Sequence, residues 1–134
     1  MTQLESNRIT INKPVTEVYQ FLSLVSNHEQ LMPDQVSDWM SEGDTCQYTI
    51  KGTGSVSLKV KQRIPDTSIS FEPNGRIPFP FEVIWNLENQ GGQTAVKVIM
   101  YAELNPILKM VASGPLKNFI NLQINALKNT LDGQ

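Results

Sequence analysis

The chain is expected to adopt an α+β fold: a curved antiparallel sheet of about seven strands wrapped around a long C-terminal helix, with one or two short helices after the first strand. Three observations predict it. Apolar and polar residues alternate with period two through residues 36–104. That stretch is cut by turn clusters at Gly52 and Gly54, Pro65-Asp66, Pro73-Asn74-Gly75 and Asn89-Gln90-Gly91-Gly92. Beyond it, Leu116, Ile120, Ile124, Leu127 and Leu131 recur at spacings of four, four, three and four, which is one stripe of a helix.

Residues 5–11 read as a strand with a weak start, polar except for Ile9 and Ile11. Pro14 opens a helix whose buried face is Val15, Val18, Leu22 and Val25, widened by Phe21. A second short helix over residues 27–31 stops before Pro33, because a residue preceding proline avoids helical backbone angles. Residues 36–40 form a short strand of unclear register: Val36 and Met40 share a face and Trp39 points the other way.

The inward faces of the next strands are Cys46, Tyr48 and Ile50; Val56, Leu58 and Val60; Ile69 and Phe71; Phe81, Val83, Trp85 and Leu87; and Val96, Val98, Met100, Ala102 and Leu104. Lysine and serine on the opposite positions mean one wet face. Lys59, Lys61 and Arg63 belong to that face. Ile84, Ile99 and Tyr101 also fall on it. They read either as cross-strand packing or as the contact of a weak homodimer.

Asn105 is the expected N-cap of the last helix and Pro106 its first residue. Phe119 flanks the apolar stripe. Gly114-Pro115 is expected to kink the helix or split it in two. Residues 115–131 would span about 25 Å, against about 29 Å for seven strands. One rod of roughly 10–12 Å thickness in a wider trough leaves room at one end.

The 134 residues suit a single domain covering residues 1–134. Hydrophobic residues make up 40% and charged residues 18%, a globular balance. A net charge of −2 with scattered lysines argues against a nucleic-acid partner. No stretch reaches the ~20 apolar residues of a membrane span, so no stable membrane insertion is expected. The polar start, MTQLESNRIT, does not resemble a signal peptide, and a cytoplasmic location is the default expectation.

Chemistry-bearing motifs are scarce. The single cysteine, Cys46, excludes an intrachain disulfide and a cysteine-based metal site. It alternates with apolar neighbours and reads as a small core residue; as a nucleophile it would need a base, and only His28 could serve. His28 is also the only histidine, so it cannot join a multi-histidine metal site. With Glu29 and Asp34 near it in sequence, an acid/base role is conceivable; the ordinary reading is a solvated residue at a loop or helix end. There is no G-x-S-x-G, P-loop or dinucleotide fingerprint. No catalytic residue, metal ligand or cofactor is therefore assigned.

What remains is a set of large inward side chains. Tyr48, Ile50, Leu58, Val60, Gln62, Ile69, Phe71, Phe81, Val83, Trp85, Val98 and Met100 from the sheet, with Phe119, Ile120 and Ile124 from the helix, either fill a core or wall a ligand pocket. Gln62 is the leading polar candidate, with Tyr48 and Trp85, because alternation from Val60 would point its amide inward, where it needs a partner. The alternative for Gln62 is a strand end reaching water.

Three stretches carry a family resemblance: the opening ITINKPVTEVYQFL, the segment LMPDQVSDWMSEGDTCQYTIKGTGSVSLKV, and the ending LNPILKMVASGPLKNFINLQINAL. Their order, strand into helix, loop into hairpin, then a long last helix, resembles the START-like (SRPBCC, polyketide cyclase/dehydrase-like) helix-grip superfamily, in a small bacterial branch. The resemblance spans nearly the whole chain and implies a hydrophobic cavity between sheet and last helix. It implies no single reaction. The expected function is binding or transport of a small hydrophobic molecule, such as a lipid, quinone or polyketide-like compound. A cyclase/dehydratase-type enzyme and a protein-interaction module are the alternatives.

Overall fold

A computed structural model of the chain describes residues 1–75 and 79–133. Eight strands form one antiparallel sheet: β1 (Thr2–Glu5), β2 (Ile9–Ile11), β3 (Val36–Glu42), β4 (Thr45–Ile50), β5 (Gly54–Ile64), β6 (Ser68–Pro73), β7 (Phe81–Asn89) and β8 (Thr94–Ala102). Helix α1 (Val15–Ser23) and a 3-10 turn (Val25–Leu31) follow β2, and α2 (Pro106–Asp132) closes the chain. The sheet order is β1-β8-β7-β6-β5-β4-β3, with β2 also paired to β8.

The eighth strand arises because the first predicted strand is interrupted. Ser6 bridges the gap between β1 and β2 by itself: its N–H donates to the Val98 carbonyl at 2.9 Å, and its hydroxyl accepts from the Val98 N–H at 2.8 Å. A side chain thus completes the ladder where the backbone turns aside.

Alternation places Ile69, Phe71, Trp85, Leu87, Val96, Val98 and Met100 on the buried inner face. Ile84 lies directly opposite Ile99 on the outer face, where both are half-buried. Two β-bulges break the alternation, and both correct the sequence reading. Asp38 adopts a left-handed backbone (φ 57°) between paired Ser37 and Met40. Aspartate tolerates that conformation, and the extra residue leaves Met40 exposed and half-buries Trp39 against the core. The second bulge lies between Val60, paired with Phe71, and Gln62, paired with Ser70.

That second bulge reverses the parity of the end of β5. Gln62 is exposed, not inward. Arg63 pairs with Ile69, so it does not share the outer face of Lys59 and Lys61. Its guanidinium instead donates to the Ser23 carbonyl at the C-terminus of α1 (2.7 Å) and to both carboxylate oxygens of Asp44 (2.8 and 3.1 Å). A cation beside the carbonyls of a helix end is favourable, and Arg63 holds the Asp44 carboxyl below its usual range.

Helix α2 starts as expected: the Asn105 side chain accepts from the Leu108 N–H at 2.9 Å, and Pro106 stands in the first turn. It is not divided at Gly114-Pro115; the helix continues through both. Proline deprives the Val111 carbonyl of its donor, and Val111 and Pro115 are both exposed, where water can replace it. Only the second half of the helix is buried, through Ile120, Gln123, Ile124, Leu127 and Leu131. Each fully buried leucine or isoleucine there contributes about 1.5–3 kcal/mol of transfer free energy. Polar ties secure the same half to the β1–β2 region: the Asn7 N–H donates to Asn121 (2.7 Å), and the Asn12 N–H donates to Asp132 (2.9 Å).

Candidate ligand-binding site

Helix α2 packs toward β1, β2, β8 and the 3-10 turn, and its Leu116, Phe119 and Gln123 cover the strands beyond them. A cavity of about 190 Å³ lies there. β4 supplies Cys46, Tyr48 and Ile50; β5 supplies Val56 and Leu58; β6, β7 and β8 supply Phe71, Phe81, Val83, Trp85 and Met100. Helix α2 closes it with Leu116, Phe119 and Gln123, and His28 and Met32 enter from the 3-10 turn and the residue after it. Thr53, Ser55, Ser57 and Phe79 complete the wall; Thr53 and Ser55 are exposed, which places the rim at the β4–β5 turn.

Of the residues expected from sequence, Tyr48, Ile50, Leu58, Phe71, Phe81, Val83, Trp85, Met100 and Phe119 lie on this wall. Val60, Gln62, Ile69, Val98, Ile120 and Ile124 do not. Ile69, Val98, Ile120 and Ile124 are buried against other core side chains, Val60 is half-buried, and the bulge turns Gln62 out to solvent.

Aromatic stacking shapes one end of the cavity. The Tyr48 ring lies between Trp39 of β3 (centroids 5.8 Å apart, planes 16° apart) and Phe119 of α2 (6.4 Å, 8°). The stack joins the far edge of the sheet to the helix, a contact that the β3 bulge makes available. At the other end, the His28 ring meets Phe71 (5.0 Å, 71°) and Trp85 (5.5 Å, 81°) edge-on, the favoured geometry for such pairs.

The expectation that His28 is solvated fails. Only 4% of it is exposed, and its Nε2–H donates to the Leu22 carbonyl at 2.8 Å. A carbonyl can only accept, so the proton sits on Nε2 and Nδ1 carries a lone pair. Burial pushes the imidazole pKa down to about 4, opposed by the bond to Leu22, so the ring is neutral at pH 7. Burial likewise raises the Tyr48 hydroxyl above its usual range and pushes the Cys46 thiol up to about 11. The thiol is therefore not an activated nucleophile.

Sequence reasoning also missed Gln123, which is 7% exposed. The signal was present: residue 123 stands three after Ile120 and four before Leu127, on the apolar stripe. Its amide nitrogen reaches the Met32 sulfur at 3.8 Å, a weak partner. The one hydrogen bond of the His28 ring among the described residues is that of Nε2 to Leu22. No group of three or more metal-ligating side chains occurs among the described residues.

No family model matches the chain, and no curated protein matches it. Solved structures do. KanY protein superposes with a TM-score of 0.80 at 13% identity, covering 99% of this chain and 100% of that one. The Aha1 dimer from Colwellia psychrerythraea gives 0.73 at 20% identity, covering 98% and 97%. The chain has the START-like, helix-grip fold. The di-domain ARO/CYC protein BexL of the BE-7585A biosynthetic pathway also matches, at a TM-score of 0.73 and 18% identity; 96% of this chain covers 46% of BexL. At these identities the shared property is the START-like fold itself. Among the described residues, no helix is long and apolar enough to cross a membrane.

Proposed function

We propose that the protein binds or carries a small hydrophobic molecule, of lipid, quinone or polyketide-like character, in the cavity between the sheet and α2. The single observation that carries this reading is the cavity itself: a largely apolar and aromatic wall in a position where a tightly packed core would have none. Desolvation of an apolar ligand would supply the binding energy, at roughly 25 cal/mol per Å² buried. Size narrows the class. An apolar cavity of about 150 Å³ holds benzene, and drug-sized pockets begin near 300 Å³. A volume of about 190 Å³ suits one or two rings or a short chain.

The His28 and Tyr48 side chains in the wall favour binding over proton transfer. General acids and bases work best with a pKa near the operating pH. The His28 imidazole near 4 is a weak base at pH 7, and the Tyr48 hydroxyl above its usual range is a weak acid. Both are suited to act as fixed neutral hydrogen-bonding groups. The exposed Thr53 and Ser55 mark the entry side.

Native mass spectrometry of protein purified from its own host is expected to show a bound molecule of a few hundred daltons at most. Val83→Trp, which fills the cavity, is expected to abolish that adduct while the far-ultraviolet circular dichroism stays native. An adduct that persists in Val83→Trp would place the ligand elsewhere, and repeated absence of any adduct would count against a carrier.

A further inference from the structure

The polar groups of the cavity say something about its occupant that volume alone does not. No lysine, arginine, aspartate or glutamate lines it among the described residues. A charged ligand would lose its hydration there and find no counter-ion, a cost of several kcal/mol. A neutral occupant suits such a wall. Within this wall, His28 is the most constrained polar group. The Leu22 carbonyl fixes its tautomer, and Phe71 and Trp85 fix its ring plane. The two ring nitrogens point in widely divergent directions; with Nε2 turned to α1, Nδ1 is the nitrogen left for an occupant.

We infer that His28 Nδ1 is the orienting acceptor of the cavity and that the preferred ligand is a neutral, hydroxylated aromatic whose O–H donates to it. This rests on the cavity being a ligand site, as proposed above, and adds the ligand's polarity and pose. The one hydrogen bond of the His28 ring among the described residues is the one from Nε2 to Leu22, and an acceptor enclosed by a ligand without a donor is costly. A phenolic O–H supplies a strong donor on a flat ring, and the edge-on aromatic surroundings accommodate such a ring. A ligand of the same shape without the O–H leaves Nδ1 unsatisfied. Tyr48 and Gln123 lie on the same wall and can serve as secondary partners, but neither is held by a strong hydrogen bond within the protein.

The test uses 2-naphthol, naphthalene and 2-methoxynaphthalene, which share one ring system and differ in the donor. Calorimetric titration of the intact protein is expected to give 2-naphthol about tenfold tighter binding than either analogue. In His28→Phe that ratio is expected to fall below about threefold. A second measurement needs no variant: in ¹⁵N-histidine-labelled wild type, the Nδ1 resonance should move upfield on adding 2-naphthol and stay in place on adding naphthalene, with Nε2 still protonated. Equal affinities for the three compounds, an unchanged ratio in His28→Phe, or a stationary Nδ1 signal with 2-naphthol bound would overturn the inference while leaving the cavity as a binding site. Failure of all three compounds to bind would instead overturn the underlying carrier reading.

Discussion

The burial of His28 carries a cost. Its unfolded-state pKa is about 6.5, and burial lowers the folded value to about 4. A depressed pKa means that the folded state refuses a proton the unfolded chain accepts. The stability linked to this group is thus fully present above pH 6.5 and lost as pH falls toward 4. Between pH 7 and pH 4.5 the loss amounts to about 2–3 kcal/mol. Measured by urea unfolding, wild type should lose this much stability relative to His28→Leu as pH falls across that range, whatever their offset at pH 7; parallel curves would mean that His28 titrates as freely as a surface histidine. The burial of His28 was not legible because its neighbours, Asn27, Glu29 and Gln30, are all polar. A 3-10 turn has three residues per repeat, and it buries Val25, His28 and Leu31 together. Reading the segment at that period would have aligned the histidine with the two apolar residues. Gln123 was missed for the opposite reason: it stands on the apolar stripe, but a single amide among apolar neighbours carries no signal of its own burial.

At the level of the elements, legibility followed periodicity. The boundaries of β5 and the start of α2 were evident because alternation, Gly54 and the Asn105-Pro106 pair all agree. The bulges were not, since an inserted residue leaves composition and turn signals untouched while reversing every side chain beyond it. That single effect misplaced Gln62 and Arg63 together. In α2, the helix continues through Gly114-Pro115 instead of splitting in two, because the cost of the proline falls on an exposed stretch. Gly114 remains a weak point. Its backbone is helical, and a Cβ placed there would meet nothing within 4 Å. Gly114→Ala is therefore expected to stabilise the protein by about 0.5–1 kcal/mol, read as a raised midpoint in chemical denaturation. A lowered midpoint would mean that flexibility at this position is needed by the folded state.

For the molecule as a whole, the α+β architecture was readable from period alone, because a sheet greasy on one side and a helix with one apolar stripe have few ways to cover each other. The cavity was not. Its existence depends on where along the sheet the helix settles, and that is decided by Leu127 and Leu131, by the Asn121 and Asp132 ties, and by the Trp39–Tyr48–Phe119 stack, all of which are long-range. The same distribution makes α2 mechanically uneven. Ile107, Met110 and Val111 are 74%, 83% and 61% exposed, whereas Ile124 and Leu127 are fully covered. Native-state hydrogen exchange should accordingly show amides 108–114 opening at a far smaller free energy than amides 120–131; uniform protection along the helix would refute this. An N-terminal section that opens alone, while the residues beyond it stay tied through Asn121 and Asp132, lets α2 loosen at its start and leaves the rest of the fold intact.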